Sequence, residues 1–298
     1  MKPFLTLLVS VTLTSLVVAQ SFEIWEDSLV QLTDSLMLSG SLSERQHSYN
    51  QLGPILEQVL SENSGSWNYP FKKLQRTSIV YPPDSSFRIF TGQFYIDEDT
   101  YTYYGLIQRR DTRLPIIMLN DVGWSEPNLL EEQLDQERWP GAVYYQLAQF
   151  EQNGRRYYLA CGFHAFRMFE NRKVAEVIYF EEDRLVLGAG IFASNGDQNP
   201  RSRLVLQYGA DVGIRLTFDQ QLDMLVFDNL IPIKSPYQKN RMVMVPDGSY
   251  SGYQQDEEGQ WLFVEKVFHH TVSSPPLEME VLNGDREKDL FGRKPRKR

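Results

Sequence analysis

Ala142-Val-Tyr-Tyr-Gln-Leu-Ala-Gln-Phe-Glu-Gln-Asn-Gly-Arg-Arg-Tyr-Tyr-Leu-Ala-Cys-Gly-Phe-His-Ala-Phe166 sets the fold class. Two runs rich in Tyr, Val, Leu and Phe flank Asn153-Gly154, and both turn residues accept the positive φ of a tight hairpin. In the first run Val143 and Tyr145 point one way while Ala142 and Tyr144 point the other. Apolar groups on both faces need cover on both sides. A sandwich, barrel or propeller-like stack is therefore expected rather than a single exposed sheet.

The same texture extends outward. Phe87 to Ile96, Tyr101 to Gln108 and Leu114 to Leu119 read as strands, with Asp97-Glu98-Asp99 as a tight connection. Downstream, Lys173 to Phe180 and Arg184 to Phe192 make a pair. Leu204 to Tyr208, Gly213 to Phe218 and Met224 to Asp228 suggest a meander. Met242 to Val245, Tyr250 to Gln254 and Trp261 to Phe268 complete the series, with Pro246-Asp247-Gly248 and Glu257-Glu258-Gly259 as turns. Gly213-Ile-Arg-Leu-Thr-Phe-Asp219 alternates most clearly, with Ile214, Leu216 and Phe218 on one face. One helical interruption is expected at Glu126 to Arg138. Hairpins without βαβ alternation imply an antiparallel sheet.

Upstream the period is helical. Ile24, Trp25, Leu29, Leu32, Leu36 and Met37 recur at helical spacing, and Gly40 ends the segment. Ser41 and Glu44 form a possible capping box for a second helix, Leu42 to Leu60, which Pro54 should break or kink after Leu52. This helical hairpin packs an apolar stripe on the rest or docks a partner. Before it, Lys2, the uncharged run Phe4 to Val18, and Val17 and Ala19 at positions −3 and −1 form the three parts of a secretory signal. The run is about fifteen residues, short of the roughly twenty that a spanning helix needs. The expected organisation is a signal peptide (1–19), a helical hairpin (20–62), a large antiparallel β domain (63–270) and a mobile C-terminal segment (271–298). The class is mainly β, α+β.

Formal net charge is −9. Arg293, Lys294, Arg296, Lys297 and Arg298 crowd the last six positions; without these five cations and Lys2, the −9 becomes −15. An acidic body argues against general nucleic-acid binding, whereas the basic end suits an anionic partner: lipid headgroups, lipopolysaccharide or an acidic protein face. The competing reading is a solvated end that aids solubility. Cys161 stands alone, so no intramolecular disulfide forms, and its apolar surroundings suggest a buried small hydrophobe rather than a nucleophile.

Motif tests return no chemistry. Gly188-Ala-Gly190-Ile-Phe-Ala193 matches a dinucleotide fingerprint, but a turn cluster follows it where a helix N-terminus is required. Asn195, Asp197 and Asn199 have the spacing of a calcium loop, yet Pro200 and Leu206 stand where Gly and Glu belong. Asp97-Glu98-Asp99 could hold a hard cation, with an ordinary polar loop as the competing reading. His269 and His270 would point to opposite faces of a strand, and His47 and His164 have no ligand-like spacing to them. No cofactor is expected.

Asp84-Ser-Ser-Phe-Arg-Ile-Phe-Thr-Gly-Gln-Phe-Tyr95, Trp139-Pro-Gly-Ala-Val-Tyr-Tyr145 and Val245-Pro-Asp-Gly-Ser-Tyr250 resemble segments of uncharacterised exported proteins of Bacteroidota-type bacteria, and the Ala19-Gln20 junction is similar to their export signals. The resemblance implies a cell-envelope location and no activity. The leading expectation is an exported, non-enzymatic protein that binds an envelope protein or anionic surface component. The alternatives are a hydrolase of envelope polymers or glycans using paired carboxylates, and a passive carbohydrate binder using Tyr and Trp surfaces.

Overall fold

The computed structural model describes residues 22–62, 65–97, 99–124, 128–193, 200–257 and 259–267. The fold is mostly β, with two N-terminal helices followed by antiparallel sheets. Residues 22–38 form α1, and α2 is Leu42–Glu62. The first sheet follows chain order: β1 (Ser78–Val80), β2 (Phe87–Asp97), β3 (Thr100–Arg109) and β4 (Ile117–Leu119). The central sheet orders β5 (Val143–Gln152), β6 (Arg155–Arg167), β7 (Glu170–Glu181) and β8 (Arg184–Leu187), and β9 (Arg203–Gly209) pairs with the remaining length of β7. The third comprises β10 (Leu216–Asp219), β11 (Met224–Lys234), β12 (Met242–Gln255) and β13 (Trp261–Val264). All strand pairings within these sheets are antiparallel.

Three apolar cores separate four layers. Phe22, Leu29, Leu36, Leu52, Leu56 and Val59 of the helices meet Phe90, Phe94, Tyr104 and Leu106 of the first sheet. The other face of that sheet, through Phe87, Ile89, Tyr103 and Ile107, meets Tyr144, Tyr158, Ala160 and Ile178. The far face of the central sheet, through Leu159, Cys161, Ala175, Val177 and Tyr179, meets Leu216, Leu225, Phe227, Tyr253 and Trp261. Two sheets are thus covered on both faces, which is the physical meaning of the two-sided apolar strands.

Several expectations need correction in detail. In α1 the buried stripe is Phe22, Glu26, Leu29, Thr33 and Leu36; Ile24 and Met37 face solvent. Pro54 lies inside α2 without ending it, because the packed stripe Leu52, Leu56 and Val59 holds the turns on either side. Only half the capping box forms. Ser41 Oγ accepts from Glu44 N–H at 3.4 Å, while Glu44 Oε2 accepts from the Ser39 hydroxyl. Residues 128–138 form turns and a single 3-10 turn, Gln136–Arg138, rather than a helix. Leu204 to Tyr208 joins the central sheet through β7 instead of a meander with β10. The run Arg184 to Phe192 ends as a ladder at Leu187, beyond which Phe192 makes only an isolated bridge to Arg201. Pro246-Asp247-Gly248 lies within β12, opposite Asn229, as a bulge.

Candidate functional site

The deepest charges hold the layers together. Arg203 on β9 and Glu176 on β7 are fully buried and ion-paired at 2.8 Å. Arg203 Nη1 donates to the carbonyls of Leu129 (2.6 Å) and Glu132 (2.7 Å), and Nη2 to that of Leu187 (2.7 Å). Glu176 Oε1 accepts from the Tyr144 hydroxyl, which itself accepts from Trp139 Nε1 at 2.9 Å. Every polar atom of the pair is engaged in structure. Gly188 makes room for it: φ is +99°, and a Cβ there would lie 3.1 Å from Arg203 Nη2. Gly188, which the expected strand Arg184 to Phe192 would contain, is therefore a backbone turn beside a guanidinium. Arg88 is likewise buried and donates to Gln108, the Tyr81 hydroxyl and the carbonyls of Tyr69 and Ser66, tying the first sheet to the segment after α2.

The remaining chemical candidates fall in the interior or outside the described residues. Cys161 is buried, and burial pushes its thiol up to about 12, which leaves it protonated as the sequence suggests for a core residue. His164 is buried beneath Tyr103 and Trp124. Asp97 and Asp99 bond backbone N–H groups of Asp99 and Met168. Among the described residues, no group of three His, Cys, Asp or Glu side chains is arranged to hold a metal ion. Residues 1–19, the run bearing Asn195, Asp197 and Asn199, His269, His270, and the basic run Arg293, Lys294, Arg296, Lys297 and Arg298 lie outside the described residues. Among the described residues, no helix is long and apolar enough to cross a membrane.

The described surface carries, among other features, a cleft and an arm. The cleft, of about 340 Å³, lies between α2 and the first sheet and is lined by Tyr49, Gly53, Pro54, Tyr104 and Met118. The arm is made where β11 and β12 run past their neighbours. Beyond the bulge, Leu230, Ile231, Pro232, Ile233 and Lys234 pair with Pro246, Val245, Met244, Val243 and Met242. Strand β10 pairs only with Met224 to Phe227 and β13 only with Gly252 to Gln255, so neither extends along the arm. Opposite residues share a face, so Ile231 and Ile233 stand with Val245 and Val243. Val243 is buried beside Gly209, yet Ile231 remains 45% and Ile233 39% exposed. Met242 on the other face is 51% exposed, and Tyr237 at the tip 62%.

The base and tip of the arm are fixed. At the bulge, Asp247 Oδ1 accepts from Ser249 N–H at 2.8 Å, and the single hydroxyl proton of Ser251 is shared between Asn229 Oδ1 at 2.8 Å and the Glu265 carbonyl at 2.7 Å. At the tip, Tyr237 stacks on Phe169 with ring centroids 5.7 Å apart, and Arg241 pairs with Glu170. Sequence reasoning ended the strand at Asp228 and passed over Leu230-Ile-Pro-Ile233. An apolar run continuing past a strand end was its only signal. Comparison with models of protein families, with curated proteins and with solved structures finds no match to this chain.

Proposed function

We propose that this chain is an exported cell-envelope protein with a non-enzymatic role, and that it binds a partner protein through the β11–β12 arm. The carrying observation is the fixed arm with Ile231, Ile233, Tyr237 and Met242 in solvent. Isoleucines held out by a rigid ribbon give up apolar contact on folding, and a partner's surface restores it. Pro232 and Lys234 blunt strand-to-strand pairing, so contact through side chains is favoured over edge addition. The export element rests on Lys2 and the apolar run Phe4 to Val18. The basic run from Arg293 would add attraction to an anionic surface.

A photocrosslinking residue at position 233, with one at exposed Asp223 of the same sheet as control, tests the reading in native envelopes. A discrete adduct from 233 alone, lost with Ile231→Lys, is expected. Equal labelling from both positions, or none, refutes it. A mature N-terminus at Gln20 is expected, and retention of Met1 would refute export. Deletion of 292–298 should flatten the salt dependence of binding.

A further inference from the structure

His164 on β6 and Arg172 on β7 are directly opposed in the ladder, so their side chains rise together from one face of the central sheet. That face enters the core through Tyr158 and Ala160, and at this end it meets the partly buried Trp124 and Phe166. His164 is 7% exposed; its ring stacks on Tyr103 at 4.7 Å and meets Trp124 edge-on at 5.8 Å. The Arg172 guanidinium lies 3.4 Å from the centre of Phe166, and Arg167 lies 4.6 Å from the same ring.

The bonds around this cluster can be followed atom by atom. Tyr103 donates its hydroxyl to the Ala165 carbonyl at 3.1 Å and its N–H to Asp121 Oδ2 at 2.9 Å. Asp121 Oδ1 accepts from Gly123 N–H at 2.9 Å, so that carboxylate is spent on backbone. Arg172 Nε and Nη2 both donate to Gln207 Oε1, at 3.1 and 3.0 Å. Gln207 Nε2 donates to Glu170 Oε1 at 2.8 Å, and Glu170 Oε2 pairs with Arg241. Two atoms are left over. Arg172 Nη1 and His164 Nδ1 are buried, and neither has a hydrogen-bond partner outside its own residue among the described residues.

An unpaired guanidinium edge beside an unpaired imidazole nitrogen is costly, and such groups persist where a water, an ion or a ligand completes them. Charge indicates which kind. Two arginines flank Phe166, Asp121 is held by the Tyr103 and Gly123 N–H groups, and Glu170 is linked to Arg172 through Gln207. A cation is repelled there. We propose that Arg172 Nη1 and His164 Nδ1 form a binding site for an oxyanion, a carboxylate or phosphate group on a small ligand, with Trp124 and Phe166 as its aromatic rim. One oxygen accepts a charge-assisted bond from the guanidinium Nη1 and another accepts from the imidazole N–H.

The electrostatics agree. Burial, then repulsion by Arg167, pulls Arg172 down to about 10. Burial, then Arg172, pushes His164 down to about 3, so the ring is neutral near pH 7 and has an N–H to donate. A bound anion opposes both displacements.

The mature chain would be titrated with acetate, glucuronate and inorganic phosphate, against glucose and sodium chloride at matched ionic strength. Melting temperature and the His164 ring resonances, assigned with His164→Gln, are the readouts. The expected result is a saturable rise in Tm and an upward move of the His164 midpoint with at least one oxyanion. Response to the two carboxylates alone, or to phosphate alone, identifies the source. Arg172→Gln should abolish the response. Because that variant also loses the Gln207 contact, exposed Arg167→Gln provides the second test and should bind about two- to fivefold more weakly. A response to glucose equal to that of the anions, no movement of His164 beyond the chloride control, or unchanged affinity in Arg167→Gln would overturn the site and leave a structural water in its place.

Discussion

Arg203→Met is the most demanding perturbation the fold offers. The variant keeps an apolar stem of similar length and removes the charge beneath Glu176. Breaking a buried ion pair from one side costs about 3–5 kcal/mol, because the remaining charge has lost its partner. Two carbonyls are then orphaned, those of Leu129 and Glu132, at about 1–3 kcal/mol each if they stay dry. The Leu187 carbonyl is spared, since it also accepts from Leu134 N–H at 2.8 Å. The expected loss is about 5–10 kcal/mol, comparable with the whole stability of a typical domain. Glu176→Gln keeps the shape but leaves the buried Arg203 cation without its counter-charge, and should itself cost about 3–5 kcal/mol. The double variant removes the stranded charge and should recover about 2 kcal/mol relative to additivity. Urea unfolding followed by Trp fluorescence measures all three, with Trp139 reporting directly through its bond to Tyr144. A single-variant loss under about 1 kcal/mol, or strict additivity in the cycle, would refute the view that this pair clamps the layers.

Other outcomes follow from the same bonds. His164 is held near 3 in the fold against about 6.5 in the unfolded chain, so the unfolded state binds the extra proton; stability is full above about 6.5 and falls by about 1.4 kcal/mol per pH unit toward 3. His164→Phe should remove that part of the acid limb, and parallel Tm–pH curves for the two proteins would contradict it. Cys161, raised to about 12 from an ordinary 9.0, contributes stability below about 9 that is lost as pH climbs toward 12. Its thiol should resist an aromatic disulfide reagent at pH 8 and react fully in urea; rapid native labelling would refute its burial. Pro54→Ala should raise stability by about 1–3 kcal/mol by restoring a donor to the Asn50 carbonyl, measured as a higher urea midpoint.

The layered class was legible because tyrosines and valines alternate against a strong turn signal. Asn153 and Gly154 do take φ of +53° and +72° between β5 and β6. Parity was harder to read. Tyr144 points to the core with the first sheet, and so does Leu147, an odd number of residues later, because a register shift between Tyr144 and Gln146 reverses the faces. Pro246-Asp247-Gly248 misled for a related reason. An Asp accepting from the N–H two residues on and a glycine at φ +87° serve a turn and a bulge alike. Only the distant pairing of Leu230 with Pro246 distinguishes them. The placement of β9 on β7 is also a long-range choice that local pattern does not carry.

The candidate oxyanion site depends on the same kind of irregularity. The β6–β7 hairpin closes with Arg167 opposite Glu170, and continuing that register would place Ala165 opposite Arg172 and His164 opposite Lys173. Instead the register shifts between Ala165 and Arg167, with Phe166 as the extra residue, and Ala165 pairs with Asn171. One inserted aromatic residue therefore moves His164 beside Arg172 and sets its own ring against the guanidinium. Bulges of this kind re-aim side chains at functional sites and disturb the ladder where they occur. No spacing rule in the sequence marks it, because His164 and Arg172 become neighbours only through that slip. The bulge leaves two buried polar atoms unpaired, and a ligand oxygen would satisfy both together.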